Sequence, residues 1–450
     1  MGDPIRRTDR ATKDLMRQRP MRRGGSGAVA AGTVAPGQPM PYPGVAQGAR
    51  PSAILRWALY GFVFSLPFDA PGRLPLELTT ITGALFLAVC LLQPGLCFGR
   101  RPSVTWWFLG YLYVYWAAYV YGGAQFTTDA IRSSLFFIQG LLIFIACFNL
   151  MRDPKITRNV LIVLALAAGV LAVMTILGIG KAMDSETQRA TVFGQNANRA
   201  ARVLLAGALT LVGLVVGRPR QALRPSWIAW PSMAVIVLAL IMGGSRGGLI
   251  AFAAGLWMFS MTGNSIGIRI RNIALTLLLL GGAAFAALKS PLMQQRLQMA
   301  AQGNLAQRQV IFPVAYGEFK SRPLIGYGPA NQYVLAVRLG LPPRLHMTRD
   351  THNLFLEVLT ATGVLGTVPF LWALWICCWS AWKARRGIEG ILPAAQMMST
   401  MFGNLSGNYI ALKLQWVLFA YAMASWIYLT PKPQPSVGPT PAARRRASMG

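Results

Sequence analysis

The amino-acid sequence predicts an all-α, polytopic membrane protein with about twelve transmembrane helices. Three observations carry this prediction: the 450 residues are 54% hydrophobic, only 12% are charged, and the mean hydropathy is +0.45. A soluble protein of this size carries roughly twice that share of charged residues. A helix needs about 20 predominantly apolar residues to cross a bilayer, and the chain contains many such runs.

The strongly basic composition indicates membrane topology rather than a nucleic-acid partner. The formal net charge is +30, but most lysines and arginines stand in short loops between apolar runs. Basic residues of this kind concentrate in the cytoplasmic loops of membrane proteins. We therefore expect no nucleic acid among the partners.

The cysteines indicate neither a disulfide framework nor a metal site. All of them lie in or at the end of apolar runs, and none forms a CxxC pair or a Cys/His cluster. They are Cys90, Cys97, Cys147, Cys377 and Cys378. We expect small buried apolar side chains at these positions and no bound metal or other cofactor.

The two ends of the chain are predicted to be disordered tails. Residues 1–52 are rich in Arg, Gly, Pro and Ala and cannot bury enough apolar surface to offset the entropy of ordering. The segment also lacks the apolar core of a signal peptide. Its arginines are expected to keep it cytoplasmic, close to anionic lipid headgroups. Residues 431–450 are predicted to form a second cytoplasmic tail.

The transmembrane domain is predicted over residues 53–430. Its twelve apolar runs lie near 53–69, 76–96, 104–122, 132–150, 158–180, 198–217, 227–243, 246–262, 272–289, 354–382, 391–411 and 415–430. Lys and Arg alternate in phase with these runs, and the loops near 70–75 and 121–131 are nearly free of them. This alternation predicts that both termini are cytoplasmic.

One long polar segment, residues 290–352, interrupts the second half of the chain and is predicted to face outward. Apolar residues recur at helical spacing between Leu292 and Phe319, which indicates amphipathic helices near the membrane. Residues 323–329 then form a Pro- and Gly-rich turn. A partly helical outer loop is therefore expected before the tenth span.

His352 and Asn353 stand where this loop enters an apolar run. A neutral histidine near its ordinary pKa can take a proton from a hydroxyl group. The alternative is a capping or structural histidine at a helix start. His346, six residues earlier, is expected to matter less.

Three arginines on the same predicted side could bind phosphate oxygens bidentately. Arg246 follows a Gly-rich turn and opens a span, where a helix N-terminus also favours anions. Arg189 precedes a loop with the amides Asn196 and Asn198, and Arg308 lies in the long loop. The alternative for Arg246 is an interfacial arginine in a helical hairpin. For Arg189 it is a loop with an asparagine cap, and for Arg308 it is a solvated helix face.

Acidic residues are few on this side, and none forms a DxD pair. A phosphate site bridged by a metal ion is therefore less expected than one in which arginines neutralise the phosphates directly.

At these residues the chain resembles the O-antigen ligase and O-antigen polymerase superfamily of integral membrane glycosyltransferases. The matching motifs, all between about 185 and 370, are Arg189 with the Gly194-to-Asn198 loop, the Ser245-to-Gly248 turn, Arg308 with the Pro323-to-Gly328 turn, and the His352-to-Glu357 segment followed by Gly363 and Gly366. Each motif is short, but their order and spacing together are fairly specific.

The resemblance implies transfer of a glycan from undecaprenyl diphosphate to an acceptor sugar hydroxyl, without metal, at the periplasmic face of the bacterial inner membrane. It implies that Arg189, Arg246 and Arg308 hold the diphosphate, that His352 is the base or orients the acceptor hydroxyl, and that Asn196, Asn198 and Asn353 support the site. The expected partners are the lipid-linked donor, the acceptor glycan or lipid A core, membrane lipids and polysaccharide-assembly proteins.

Three other functions stay open at the level of sequence. A polymerase of O-antigen or exopolysaccharide repeat units would share the motifs used here. A polytopic transporter of a lipid-linked or anionic substrate also suits twelve spans, although the internal repeat common in such proteins is not visible. A scaffold without chemistry is the third alternative.

Overall fold

The structure, a computed structural model, describes residues 50–431 except 69–76, 123–125, 184–189, 217–225, 264, 304–306, 343–347 and 409. Residues 1–49 and residues 432–450 lie outside this description. The two predicted tails therefore stay predictions, as do any roles of Arg189 and His346.

The all-α prediction is confirmed, since the described residues form sixteen α-helices and one two-stranded hairpin. The helices are α1 (Ala53–Ser65), α2 (Leu78–Cys90), α3 (Pro94–Cys97), α4 (Val104–Gly122), α5 (Thr127–Leu150), α6 (Pro154–Leu177), α7 (Ala197–Val216), α8 (Ala229–Met242), α9 (Arg246–Ser260), α10 (Ile266–Lys289), α11 (Pro291–Ala301), α12 (Arg308–Ser321), α13 (Asn331–Arg338), α14 (Leu354–Ala384), α15 (Leu392–Asn404) and α16 (Lys413–Ile427). The antiparallel strands are β1 (Lys181–Met183) and β2 (Ala190–Val192).

Five of these helices are long and apolar enough to cross a membrane: α5, α6, α7, α10 and α14. Helix α7 is internal, since 72% of its most apolar 18-residue stretch is buried. In α10 only 17% of the corresponding stretch is buried, so this helix lies at the periphery. The chain is thus an all-α membrane protein. The other predicted apolar runs contain shorter helices, and the count of twelve spans remains a prediction.

Aromatic packing between α4, α5, α14 and α16 forms the densest part of the core. Phe108 lies within 6.4 Å, ring centre to ring centre, of Phe137, Phe144, Phe370, Trp416 and Phe419. Trp416 approaches the backbone of α5 so closely that a Cβ atom at Gly140 would lie 2.3 Å from its indole nitrogen. This contact holds the beginning of α16 against α5, next to the site described below.

The segment between α10 and α14 contains the helices α11, α12 and α13, and α11 and α12 fall in the stretch whose periodicity predicts helices. The segment is fixed to α14 at a point where α14 departs from helical geometry. Gly363 departs from helical geometry with φ +57°, and the backbone amides of Val364 and Leu365 donate to the carbonyls of Pro323 and Leu324. A Cβ atom at Gly363 would lie 2.3 Å from the Leu324 carbonyl carbon. The predicted Pro- and Gly-rich turn therefore docks onto α14.

Candidate active site

A cavity of about 210 Å³ is formed where several helices begin. Its walls come from the starts of α2, α7 and α14 and from the connection between α15 and α16. The lining residues are Glu77, Asn196, Asn198, Arg199, Asp350, His352, Ser406, Gly407, Asn408, Ala411 and Leu412. Converging helix N-termini give a positive potential, which favours anionic ligands.

His352 reaches this cavity in a conformation fixed by its neighbours. Its backbone has φ +52°, and its amide donates to Asp350 Oδ1 at 3.1 Å. The ring nitrogen Nδ1 lies 2.5 Å from the same carboxylate oxygen. A carboxylate at Nδ1 holds the proton there and leaves Nε2 as the acceptor, which is the arrangement a general base requires.

Asn353 has a structural role of its own. Its side-chain oxygen accepts from the amides of Phe355 at 2.9 Å and Leu356 at 3.2 Å, so it caps the first turn of α14. The residue that caps α14 is thus Asn353, while the adjacent His352 lies outside the helix and lines the cavity. The cap and the Asp350 contact together set the position of the imidazole.

Asn196 and Asn198 line the cavity and also shape the beginning of α7. The Asn196 side chain accepts from the Asn198 amide at 2.9 Å, and the Ser245 hydroxyl donates to Asn198 Oδ1 at 2.8 Å. Ser245 Oγ in turn accepts from the Gly248 amide at 3.0 Å and caps α9. The amide loop and the Gly-rich turn are therefore joined in the fold, although 47 residues separate Asn198 from Ser245.

Arg246 and Arg308 lie beside the cavity rather than in its wall. Arg308 donates to the carbonyl of Ser406, a lining residue, at 3.0 Å, and Arg246 donates to the carbonyl of Arg296 at 3.0 Å. Arg246 also lies close enough to Arg296 and Arg308 for their charges to repel. Within the described residues no salt bridge engages Arg246, so its positive charge is not neutralised there.

Sequence reasoning missed one ionic cluster, formed by Glu77, Arg199 and Lys413. Arg199 holds both carboxylate oxygens of Glu77, at 2.7 and 3.2 Å, and Lys413 Nζ lies 3.7 Å from the second oxygen. Lys413 is only 1% exposed and also donates to Thr80 Oγ1 at 2.7 Å.

Burial alone would raise the pKa of Glu77, but the hydrogen bond and charge of Arg199, with the charges of Lys413 and Arg132, hold that pKa below its usual value. One signal was available in the sequence, because Lys413 stands in the short gap between the apolar runs 391–411 and 415–430, where a basic residue needs a partner or a use. The partner itself could not be found, since Glu77 and Lys413 lie far apart in the chain.

Comparison with known proteins points to one family. A family model described as "O-antigen ligase" matches residues 231–371. An O-antigen ligase from Pseudomonas aeruginosa is 24% identical over 300 residues, which cover 64% of this chain and 69% of the relative. No solved structure matches the chain. The matches support the family predicted from the motifs and indicate a glycosyltransferase-type membrane enzyme.

Proposed function

We propose, because this chain belongs to the O-antigen ligase superfamily, that it moves a glycan from undecaprenyl diphosphate to a sugar hydroxyl of the lipid A core. The reaction would take place at the periplasmic face of the inner membrane. The single observation that carries the proposal is the His352–Asp350 pair in a cavity bordered by Ser406, whose carbonyl is held by Arg308. The pair supplies a base, and the arginines beside it supply an anion site.

The proposed reaction is a single displacement at the anomeric carbon of the donor sugar. The acceptor hydroxyl oxygen forms the new bond to that carbon, and its proton passes to Nε2 of His352. The bond from the anomeric carbon to the diphosphate oxygen breaks, its electron pair leaves with undecaprenyl diphosphate, and the configuration inverts. Asp350 stabilises the imidazolium that forms.

The leaving group gains negative charge as that bond breaks. Fixed cations next to the departing oxygen lower the barrier, and they need no reorganisation during the reaction. We assign this task to Arg246 and Arg308, which donate to the carbonyls of Arg296 and Ser406, and to Arg189 from the motif alone. Among the described residues no group of three or more His, Cys, Asp or Glu side chains could hold a metal ion. A metal-independent mechanism is part of the proposal.

The decisive experiment reconstitutes the full-length protein in liposomes with a glycan on undecaprenyl diphosphate and lipid A core. We expect equal amounts of capped lipid A core and free undecaprenyl diphosphate, with no loss of rate in EDTA. Movement of intact donor across the membrane without bond cleavage would identify a transporter instead. Products lengthened by one repeat unit while still on undecaprenyl diphosphate would identify a polymerase.

Orientation is tested separately with reporter tags. The charge alternation predicts cytoplasmic tags at Gly2 and Ser448 and an external tag near Gly303. Labelling of a cysteine introduced at Ser448 by a membrane-impermeant reagent in intact cells would contradict the proposed topology.

A further inference from the structure

Glu357 stands in the first turn of α14, and its carboxylate points back toward the segment that carries His352. Its oxygen Oε2 accepts from the backbone amide of Thr351 at 3.0 Å. Both residues are buried, and Thr351 directly precedes His352 in the chain. Glu357 lies outside the set of described residues that line the His352 cavity, so it reaches the proposed base only through the backbone.

The second oxygen of this carboxylate, Oε1, connects α14 to the beginning of α13. It accepts from the side-chain amides of Asn331 at 3.0 Å and Gln332 at 2.7 Å. The backbone carbonyl of Gln332 accepts in turn from the amide of Arg349 at 3.0 Å. The residues before α14 are therefore joined to α13 directly through the backbone and indirectly through Glu357.

We call residues 349–353 the histidine turn. His352 has φ +52° in this turn, in the left-handed region that is unfavourable for a residue with a side chain. Such a conformation persists only where the surrounding structure holds it. The residues on both sides of His352 are fixed to α14, Thr351 by the carboxylate of Glu357 and Asn353 by its own cap.

The position of the imidazole depends on the backbone of this turn. Asp350 and His352 flank Thr351, and the carboxylate of Asp350 contacts the ring nitrogen Nδ1. A shift of Thr351 would therefore move both partners of that contact and displace Nε2. A displacement of about 1 Å at a reacting atom can cost roughly 10²-fold in rate.

We propose that Glu357 is a positioning residue of the transfer reaction, which holds the Thr351 amide and thereby fixes the turn that presents Nε2 of His352. This role rests on the proposed function, because it takes His352 to be the base. A carboxylate that only fastened α13 to α14 would need the contacts of Oε1 alone. The contact of Oε2 is the one that bears on the reaction.

Glu357→Leu removes both acceptor oxygens and keeps a buried side chain of similar size. In full-length protein in liposomes, kcat for release of undecaprenyl diphosphate should fall roughly ten- to a hundredfold, and KM for donor and acceptor should stay unchanged. The matched control is Glu318→Leu, since Glu318 is a second buried carboxyl whose oxygens have no hydrogen-bond partner among the described residues. It should transfer at the parent rate. A normal kcat in folded Glu357→Leu, or an effect on KM alone, would overturn the proposal.

Two conservative changes keep the test decisive if Glu357→Leu does not fold. Glu357→Gln should keep most of the activity, because the amides of Asn331 and Gln332 can turn to accept from its NH2 group while its oxygen stays on Thr351. Glu357→Asp keeps the charge but is one methylene shorter, so it cannot reach Thr351 and α13 together, and kcat should fall. The reverse order would show that charge rather than reach matters, and it would overturn the proposal.

Gln332→Ala separates the positioning of His352 from the fastening of α13. It removes the shortest contact of Oε1, but it leaves the carbonyl that holds Arg349 and the contact of Oε2 with Thr351. We expect a lower unfolding temperature together with the kcat of the parent protein. Equal losses of kcat in Gln332→Ala and Glu357→Leu would mean that the carboxylate only fastens α13.

The ring of His352 can be observed without any substrate. The chain has two histidines, so His346→Ala leaves a single imidazole for 15N NMR of histidine-labelled protein in nanodiscs, at about pH 8 where an ordinary imidazole is neutral. We expect a protonated Nδ1 and a bare Nε2 in this parent and in Glu357→Gln, and averaged signals of two exchanging forms in Glu357→Leu and Glu357→Asp.

This spectrum also separates the inference from the proposed function. Unchanged ring signals in Glu357→Leu and Glu357→Asp would overturn the positioning role, even in a protein that transfers glycan. Changed ring signals in a protein whose parent transfers no glycan would refute only the proposed function.

Discussion

The two sides of the His352 cavity hold their positive charge in different ways. On one side, which we call the paired side, Arg199 and Lys413 share the carboxylate of Glu77. On the other, which we call the open side, Arg246 and Arg308 donate to backbone carbonyls. A carbonyl fixes a guanidinium in space without cancelling its charge. The difference teaches that the cations on the paired side are held by a carboxylate, whereas no salt bridge engages Arg246 on the open side within the described residues.

The largest expected effect on transfer activity comes from the substitution of His352. His352→Ala should lower transfer about 10²–10⁴-fold, the usual contribution of a general base, while His346→Ala should keep most of the activity. The measurement is release of undecaprenyl diphosphate by reconstituted protein. Equal and mild losses from both changes would remove His352 from the mechanism.

Arginine substitutions test the comparison most directly. Arg246→Lys keeps the charge but loses the planar fork, so transfer should fall roughly ten- to a hundredfold without a change in thermal unfolding. Arg199→Lys, its matched control on the paired side, should instead lower the unfolding temperature, because the bidentate contact with Glu77 is lost. A stability loss in Arg246→Lys together with normal activity would reverse the assignment of the two sides.

Removal of the shared carboxylate should affect stability rather than chemistry. Glu77→Gln leaves Lys413 buried beside Arg199 without a charged partner, which should cost about 1–3 kcal/mol of unfolding free energy. Chemical denaturation in mild detergent measures this loss. Wild-type stability of Glu77→Gln would show that the cluster does not hold the fold, and the paired side would then need a functional explanation.

The last prediction concerns the pH dependence of stability and the carboxyl of Glu318 on α12, which does not line the His352 cavity. It is fully buried, neither oxygen has a hydrogen-bond partner among the described residues, and burial raises its pKa to about 8. The unfolded chain ionises near the ordinary value of about 4.5, so between about pH 4.5 and 8 the unfolded state releases a proton that the folded state keeps. Stability should therefore fall as pH rises through that window, by at most about 1.4 kcal/mol per pH unit, and level off above it.

Glu318→Gln keeps the shape of the neutral acid and should flatten this dependence. The check is the unfolding temperature measured from pH 5 to pH 9. Glu77→Gln is the control, because the pKa of Glu77 is held below its usual value although burial would raise it. An unchanged slope in Glu318→Gln would show that another group titrates.

The sequence by itself determined what depends on composition and on neighbours along the chain. Apolar composition decided the all-α membrane class, because a backbone in lipid must satisfy its hydrogen bonds internally. Local capping explains why α9 begins at Arg246 and α14 follows Asn353, since a cap needs only residues two or three positions away. Family motifs brought His352, Arg246 and Arg308 into consideration, and the fold puts His352 in the cavity wall and joins Arg308 to the lining residue Ser406.

Tertiary structure alone decided which charges are paired. Glu77 meets Arg199 across 122 residues of sequence, and Lys413 reaches Thr80 across 333. Contacts of this kind depend on how helices pack in three dimensions, so a single sequence can show that a buried lysine needs a partner but not which residue provides it.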